Sequence, residues 1–229
     1  MIRPLLVLLT GLVLLASASG RQGGVSDSPS TELSSSYKFE NKRFYIPLIE
    51  IDLASDGTAA LRFKRGESDD ILDRKMKLLP ATLSRIRQIF DDLRFIESNE
   101  EYQGKKDFSH LGWITIIARQ AGRERTVRFN FTTNENMKEL AEIFRGLATQ
   151  EIHLLDLDNA EQYQPLDLPR QLEALANDLQ LERVTEPTQL LNALREISGN
   201  DALPLIARNQ ARRLITDIEK NKFKSTMKK

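Results

Sequence analysis

The stretch Ile49-Glu50-Ile51-Asp52-Leu53-Ala54-Ser55-Asp56-Gly57-Thr58-Ala59-Ala60-Leu61-Arg62-Phe63-Lys64 decides the fold class. On its first arm Ile49, Ile51 and Leu53 alternate with Glu50 and Asp52. On its second arm Ala59, Leu61 and Phe63 alternate with Ala60, Arg62 and Lys64. A period of two sends successive side chains to opposite faces of a strand, so each arm has one apolar face and one polar face. Between the arms, Ser55-Asp56-Gly57 supplies a turn, because glycine reaches the positive φ that a tight reversal needs. The segment predicts a β-hairpin with one buried face. Pro47 cannot donate to a ladder, so the first strand starts after it or lies at an edge.

Moving outward, the period changes. Over 80–95, Leu83, Ile86, Phe90 and Leu93 recur at three and four residues and predict an amphipathic helix. Residues 104–109 read as a loop. A second hairpin follows: Ile114, Ile116 and Ala118 on one arm, Ala121-Gly122 at the turn, then Val127, Phe129 and Phe131. Thr132 and Glu135 sit three apart, as in a capping box. Met137, Leu140, Ala141, Phe144, Leu147 and Ala148 then make a helical stripe that extends toward Ile152 and Leu155.

Strand, strand, helix therefore occurs twice. The expected fold is α+β: a four-stranded antiparallel sheet from two hairpins, with two helices on one face. Beyond Gln164 the pattern is helical only. Asp167 with Pro169, Pro187 with Leu190, Leu191, Leu194 and Ile197, and Asp201 with Pro204 mark three short helices. About 60 residues make a marginal independent core, so this C-terminal helical region is expected to dock on what precedes it.

The N-terminus reads as a secretory signal peptide. Arg3 is followed by the apolar run Leu5–Leu15 and then by Ala16-Ser17-Ala18. A spanning helix needs roughly 20 apolar residues, and this run is about half that and broken by Thr10 and Gly11. The chain has no cysteine. That excludes a lipidated cysteine anchor, disulfides, thiolate metal sites and a cysteine nucleophile. The expected organisation is signal peptide 1–18, flexible linker 19–36, α+β domain 37–160 and C-terminal helical region 161–229. The expected location is periplasmic or secreted, with no membrane span once the signal is removed.

Formal net charge is zero. The one basic run, Lys220 to Lys224 with Lys228-Lys229, reads as a solvated end, and no nucleic-acid partner is implied. Glu67, Asp69, Asp70 and Asp73 cluster, but not in the order of a calcium loop. No phosphate-binding glycine motif occurs. No cofactor or metal is implied. Asn130-Phe131-Thr132 matches a glycosylation acceptor, which would matter only in a eukaryotic secretory route.

Two histidines are present. His110 stands in Asp107-Phe108-Ser109-His110, where an aspartate could orient a general base. Flanking glycines of a nucleophile elbow are missing. His153 lies among Ile152, Leu154 and Leu155 and reads as a packing residue. One polar surface stands out instead. Arg62, Lys64, Thr115, Arg119 and Arg128 project to one side of the expected sheet, with Trp113 at the start of its strand. A basic face with an aromatic can bind a partner or an anionic polymer.

The Asp56-Gly57 hairpin, Leu93-Arg94-Phe95, Tyr102, Asp107 and Arg125-Thr126-Val127 give residues 43–155 a resemblance to exported bacterial α+β domains of unknown function. The resemblance implies a mixed α+β fold and a cell-envelope location. It implies no activity, substrate or catalytic residue. The expected function is therefore a soluble, exported, non-enzymatic protein that binds another exported or envelope protein, through Arg62, Lys64, Trp113, Arg119 and Arg128. The alternatives are a hydrolase using His110 and Asp107, and an inhibitor of a secreted enzyme presenting the Ser55-Asp56-Gly57 tip.

Overall fold

The computed structural model describes residues 32–223. The expected signal peptide 1–18, most of the linker 19–36 and the basic tail residues Lys224, Lys228 and Lys229 lie outside the described residues. Six strands form one sheet: β1 (Ser34–Glu40), β2 (Leu48–Leu53), β3 (Thr58–Lys64), β4 (Leu72–Lys77), β5 (Trp113–Gln120) and β6 (Arg123–Phe129). Their order is β4-β3-β2-β1-β5-β6, and every neighbouring pair is antiparallel. Both predicted hairpins are present. Gly57 takes φ +86, and Ala121 and Gly122 take φ +50 and +75, the pair of positive angles that a two-residue reversal requires.

The expectation of four strands is corrected to six, and the linker is corrected at its end. Ser34-Ser35-Ser36 has the composition of a linker, yet it opens β1, the strand that joins the two hairpins. Tyr37 faces Ile51 on one side and Ile116 on the other, and Phe39 faces Ile49 and Ile114. Partners this far away in sequence order a serine-rich segment whose own propensity is weak. The sixth strand, β4, follows the acidic loop. Its run Leu72-Asp73-Arg74-Lys75-Met76-Lys77 is mostly charged because it is an edge, and charge blunts an edge against pairing with other chains.

Two helices cover one face of the sheet: α1 (Pro80–Asp92), which crosses from β4 toward β5, and α2 (Glu135–Tyr163). Ile51, Leu61, Phe63, Ile116, Phe90 and Phe144 are buried between the layers. The Tyr37 ring stacks on Phe144 with centroids 5.3 Å apart. Helix α2 is capped by the Asn134 side chain, which accepts the Met137 N–H at 3.0 Å. The capping box expected at Thr132 and Glu135 is thus displaced.

At 29 residues, α2 outruns the sheet. Its C-terminal residues Leu157 and Ala160 belong to a second core, built with α3 (Leu168–Gln180), α4 (Leu191–Gly199) and α5 (Leu205–Glu219). Asp167 precedes α3 but makes no cap bond; its carboxylate takes Arg170 and Gln171. The helical region docks on α2 as its small size demands. Gly146 permits the contact: a Cβ there would stand 2.3 Å from the Thr185 hydroxyl.

Candidate functional site

The pleat places all five sequence-predicted binding residues on the uncovered face of the sheet. Strand register puts Thr115 opposite both Lys38 and Arg128, and Glu50 opposite both Lys38 and Arg62. One row across the face therefore runs Asp73, Arg62, Glu50, Lys38, Thr115, Arg128. Charges alternate along it from Asp73 to Lys38. Arg62 reaches Asp52 at 2.8 Å and Glu50 at 3.4 Å, while Lys38 bridges Glu40 at 3.0 Å and Glu50 at 3.4 Å. The hydrogen bond that Lys38 donates to Glu40 is the main cause that raises its ammonium above the ordinary range. Lys64 holds Asp69, and Arg119 holds Glu124. The face is a lattice of opposite charges rather than a basic patch. Exposed pairs of this kind contribute little stability each, but a lattice fixes side-chain positions. Arg128 differs from the others: its guanidinium lies over the Trp113 ring, 4.5 Å from the centroid.

The Asp107–His110 loop is built differently from a catalytic dyad. The Asp107 carboxylate accepts the Ser109 N–H at 2.7 Å and the Asn130 side chain at 2.8 Å. Those bonds, the Ser109 backbone bond first, hold it below the ordinary carboxylate range. Asp107 thus shapes the turn, and the exposed His110 ring meets the edge of Phe108. The histidine that does find an aspartate is His153, whose Nε2 lies 2.9 Å from Asp178 on α3. Arg183 shares that carboxylate. No local pattern linked residues this far apart. Asn130, the glycosylation candidate, is bound by Gln103, Phe108 and Asp107.

The Ser55-Asp56-Gly57 tip is braced rather than projecting. Asp56 accepts the Thr58 N–H at 2.9 Å and its hydroxyl at 2.6 Å, and pairs with Lys77. Arg87 of α1 donates to the Ser55 carbonyl.

A groove of about 1690 Å³ opens beside the helices. Helix α1 forms one wall with Arg85 and Gln88, α2 forms the floor with Glu142 and Arg145, and the segment Thr185-Glu186 closes the far side. Arg85 grips Glu139 with two 2.7 Å bonds, tying α1 to α2 under the groove, and that contact raises the guanidinium. Arg145 lies over Phe39, near Tyr37. Burial pushes the Tyr37 phenol up, against the pull of the Arg145 charge. Leu79 and Leu181 stay exposed along the rim. Sequence reasoning passed over these positions. Arg85 with Gln88, and Glu142 with Arg145, each read as the solvated stripe of a separate helix; only docking turns two stripes into facing walls.

Among the described residues no group of three acidic, histidine or cysteine side chains could hold a metal, and no helix is long and apolar enough to cross a membrane. Compared with known proteins, the chain matches no family model and no curated relative. Of the residues behind the resemblance, Phe95, Tyr102 and Arg125 meet, while Asp56 and Asp107 sit in separate turns. Phe95 and Tyr102 stack with centroids 6.2 Å apart, and the Arg125 guanidinium lies 4.9 and 5.5 Å from those centroids and donates to the Phe95 carbonyl at 2.7 Å. This cluster braces the β6 edge of the sheet.

Proposed function

We propose that this is an exported, non-enzymatic binding protein whose groove takes an extended segment of another exported or envelope protein. The supporting observation is the groove between α1, α2 and the Thr185-Glu186 segment. Junctions between packed modules are preferred ligand sites, and this one is larger than a small molecule requires. Its lining mixes exposed leucines with cations and anions, which suits a polypeptide's alternating side chains and peptide groups better than a single charged metabolite.

A photo-crosslinking residue at Gln88, in the groove, and another at Lys75, on the uncovered sheet face, compare the two surfaces in cells. A discrete adduct from Gln88 alone supports the groove. An adduct from Lys75 alone, or from neither, ends that reading. The Trp113–Arg128 stack favours the sheet face as the second reading. It is tested by reversing Arg62, Arg119 and Arg128 together to glutamate and asking whether the Lys75 adduct disappears.

A further inference from the structure

Strand register gathers three segments at one end of the sheet. Glu40 faces both Leu48 and Trp113, so the β1–β2 loop and the turn entering β5 lie side by side. Asn41 joins them, donating from its side-chain nitrogen to the His110 carbonyl at 3.0 Å. The β3–β4 loop is attached on the other side, where the Gly66 N–H donates to the Tyr45 carbonyl. Large apolar side chains project from this end: Phe44 is 43% exposed, Tyr45 72% and Leu111 52%.

Their exposure is enforced by the backbone. Asn41 accepts the Arg43 N–H on its side chain and the Phe44 N–H on its carbonyl, and its own N–H donates to the Pro47 carbonyl. Gly112 takes φ +107, and a Cβ there would strike the Phe39 ring at 2.5 Å, so the turn bearing Leu111 lies hard against β1. Lys42 and Arg43 precede Phe44 in the β1–β2 loop, and Lys105 and Lys106 lie on the segment leading to the Leu111 turn; all four are exposed. Their side chains meet no carboxylate at ion-pair distance among the described residues. Cations elsewhere on the sheet do: Lys38, Arg62, Lys64 and Arg119 are all paired. The acids of this end are engaged elsewhere: Glu40 holds Lys38, Asp107 accepts from Ser109 and Asn130, Asp69 holds Lys64 and Asp70 accepts from Ser68.

We propose that this end of the sheet docks on the surface of an anionic lipid bilayer, with Phe44, Tyr45 and Leu111 entering the headgroup boundary and Lys42, Arg43, Lys105 and Lys106 facing the lipid charge. Tyrosine and phenylalanine favour that boundary, and each nearby cation adds attraction to an anionic leaflet. Short rigid loops give shallow, reversible attachment, with no spanning segment needed.

The absence of cysteine makes the test direct. A polarity-sensitive dye is attached to Tyr45→Cys and, in a separate protein, to Ala54→Cys at the opposite end of the sheet, each in the full chain. Both are titrated with phosphatidylcholine vesicles, with and without phosphatidylglycerol. The expected result is a blue shift at position 45 on the anionic vesicles only, lost at high salt, and no shift at position 54. Adding Lys42→Glu and Arg43→Glu weakens binding by about 30-fold, and Phe44→Ser weakens it further. All these side chains are exposed, so an unchanged thermal midpoint separates lost binding from lost folding. Equal shifts at both positions, no shift at 45, wild-type binding by the charge variant, or displacement by inorganic phosphate would each overturn the proposal.

Discussion

The two cores of this molecule are made of different material. Between the sheet and its helices lie Tyr37, Phe39, Phe63, Phe90, Phe95, Tyr102, Phe129 and Phe144, a core rich in rings. The buried members of the helical core are aliphatic: Leu168, Leu172, Leu175, Leu194, Leu214, Ile218 and their neighbours. The first is assembled from distant pairings such as Tyr37 with Ile116, the second from helices that follow one another in the chain. Between them the buried residues turn polar: Gln150, Glu151, His153, Thr185 and Glu186. The Glu186 carboxylate accepts the Leu79 N–H at 2.8 Å, and its own N–H donates to Gln150 at 3.1 Å. An apolar seam would hold at many registers; hydrogen bonds of fixed geometry hold at one. Helix α2 crosses this seam and serves both cores.

That comparison can be broken experimentally. The largest effect is expected from Phe144→Ala, which removes the ring stacked on Tyr37 from the shared helix. A loss of about 4 kcal/mol is typical for a buried phenylalanine. Because α2 belongs to both cores, helical circular dichroism and the fluorescence of Trp113, the single tryptophan, should melt together at a lower temperature. Leu194→Ala, buried in the helical core only, should cost about 3 kcal/mol. Here the helical signal should fall before the Trp113 signal; a single joint transition would show that the two cores unfold as one. Gly146→Ala comes next. Its Cβ meets Thr185 at the seam, and overpacking of about 2 kcal/mol outweighs the gain of about 1 kcal/mol from helix propensity. Urea unfolding should show a net loss.

Two smaller effects depend on pH. Burial, reinforced by Glu186 and opposed by Arg74, raises Glu151 above its ordinary value of 4.5. The folded state therefore holds that proton more tightly than the unfolded chain. The stabilisation is complete below 4.5 and is lost as pH rises through the raised value. Glu151→Gln should flatten this part of the stability curve; an unchanged slope would place the titration elsewhere. The smallest effect compares exposed aspartates, one in each region. Asp56 is lowered to about 2, chiefly by the Thr58 hydroxyl, and Asp167 to about 2, chiefly by Arg170. Each local bond is intact above the ordinary 3.8 and is lost as pH falls through about 2. Carboxyl NMR should place both midpoints near 2, and Thr58→Ala should raise only that of Asp56.

Much of the fold was legible in the chain. Ile49 to Lys64, Ile114 to Phe129 and the stripe from Met137 repeat at the strand and helix periods, and those elements exist as read. The C-terminal helices were legible from Pro169, Pro187 and Pro204 for the same reason, since proline sets φ at a helix start without regard to distant residues. β1 and β4 were not legible. Ser34-Ser35-Ser36 becomes strand only because two hairpins leave a gap with open amides on both sides, and Asp73, Arg74 and Lys75 become strand only as the edge beside β3. The candidate sites divide the same way. Alternation correctly placed Arg62, Lys64, Trp113, Arg119 and Arg128 on one face, since side-chain direction is a local property. The pairing of Arg62 with Glu50 and Asp52, and of Arg119 with Glu124, depends on register. The groove, the His153–Asp178 pair and the apolar basic end near Tyr45 depend on packing. Periodicity and composition thus determined which side chains point together, because the backbone repeats every two or 3.6 residues. Only the tertiary structure decided what faces them, because that depends on residues far away in the chain.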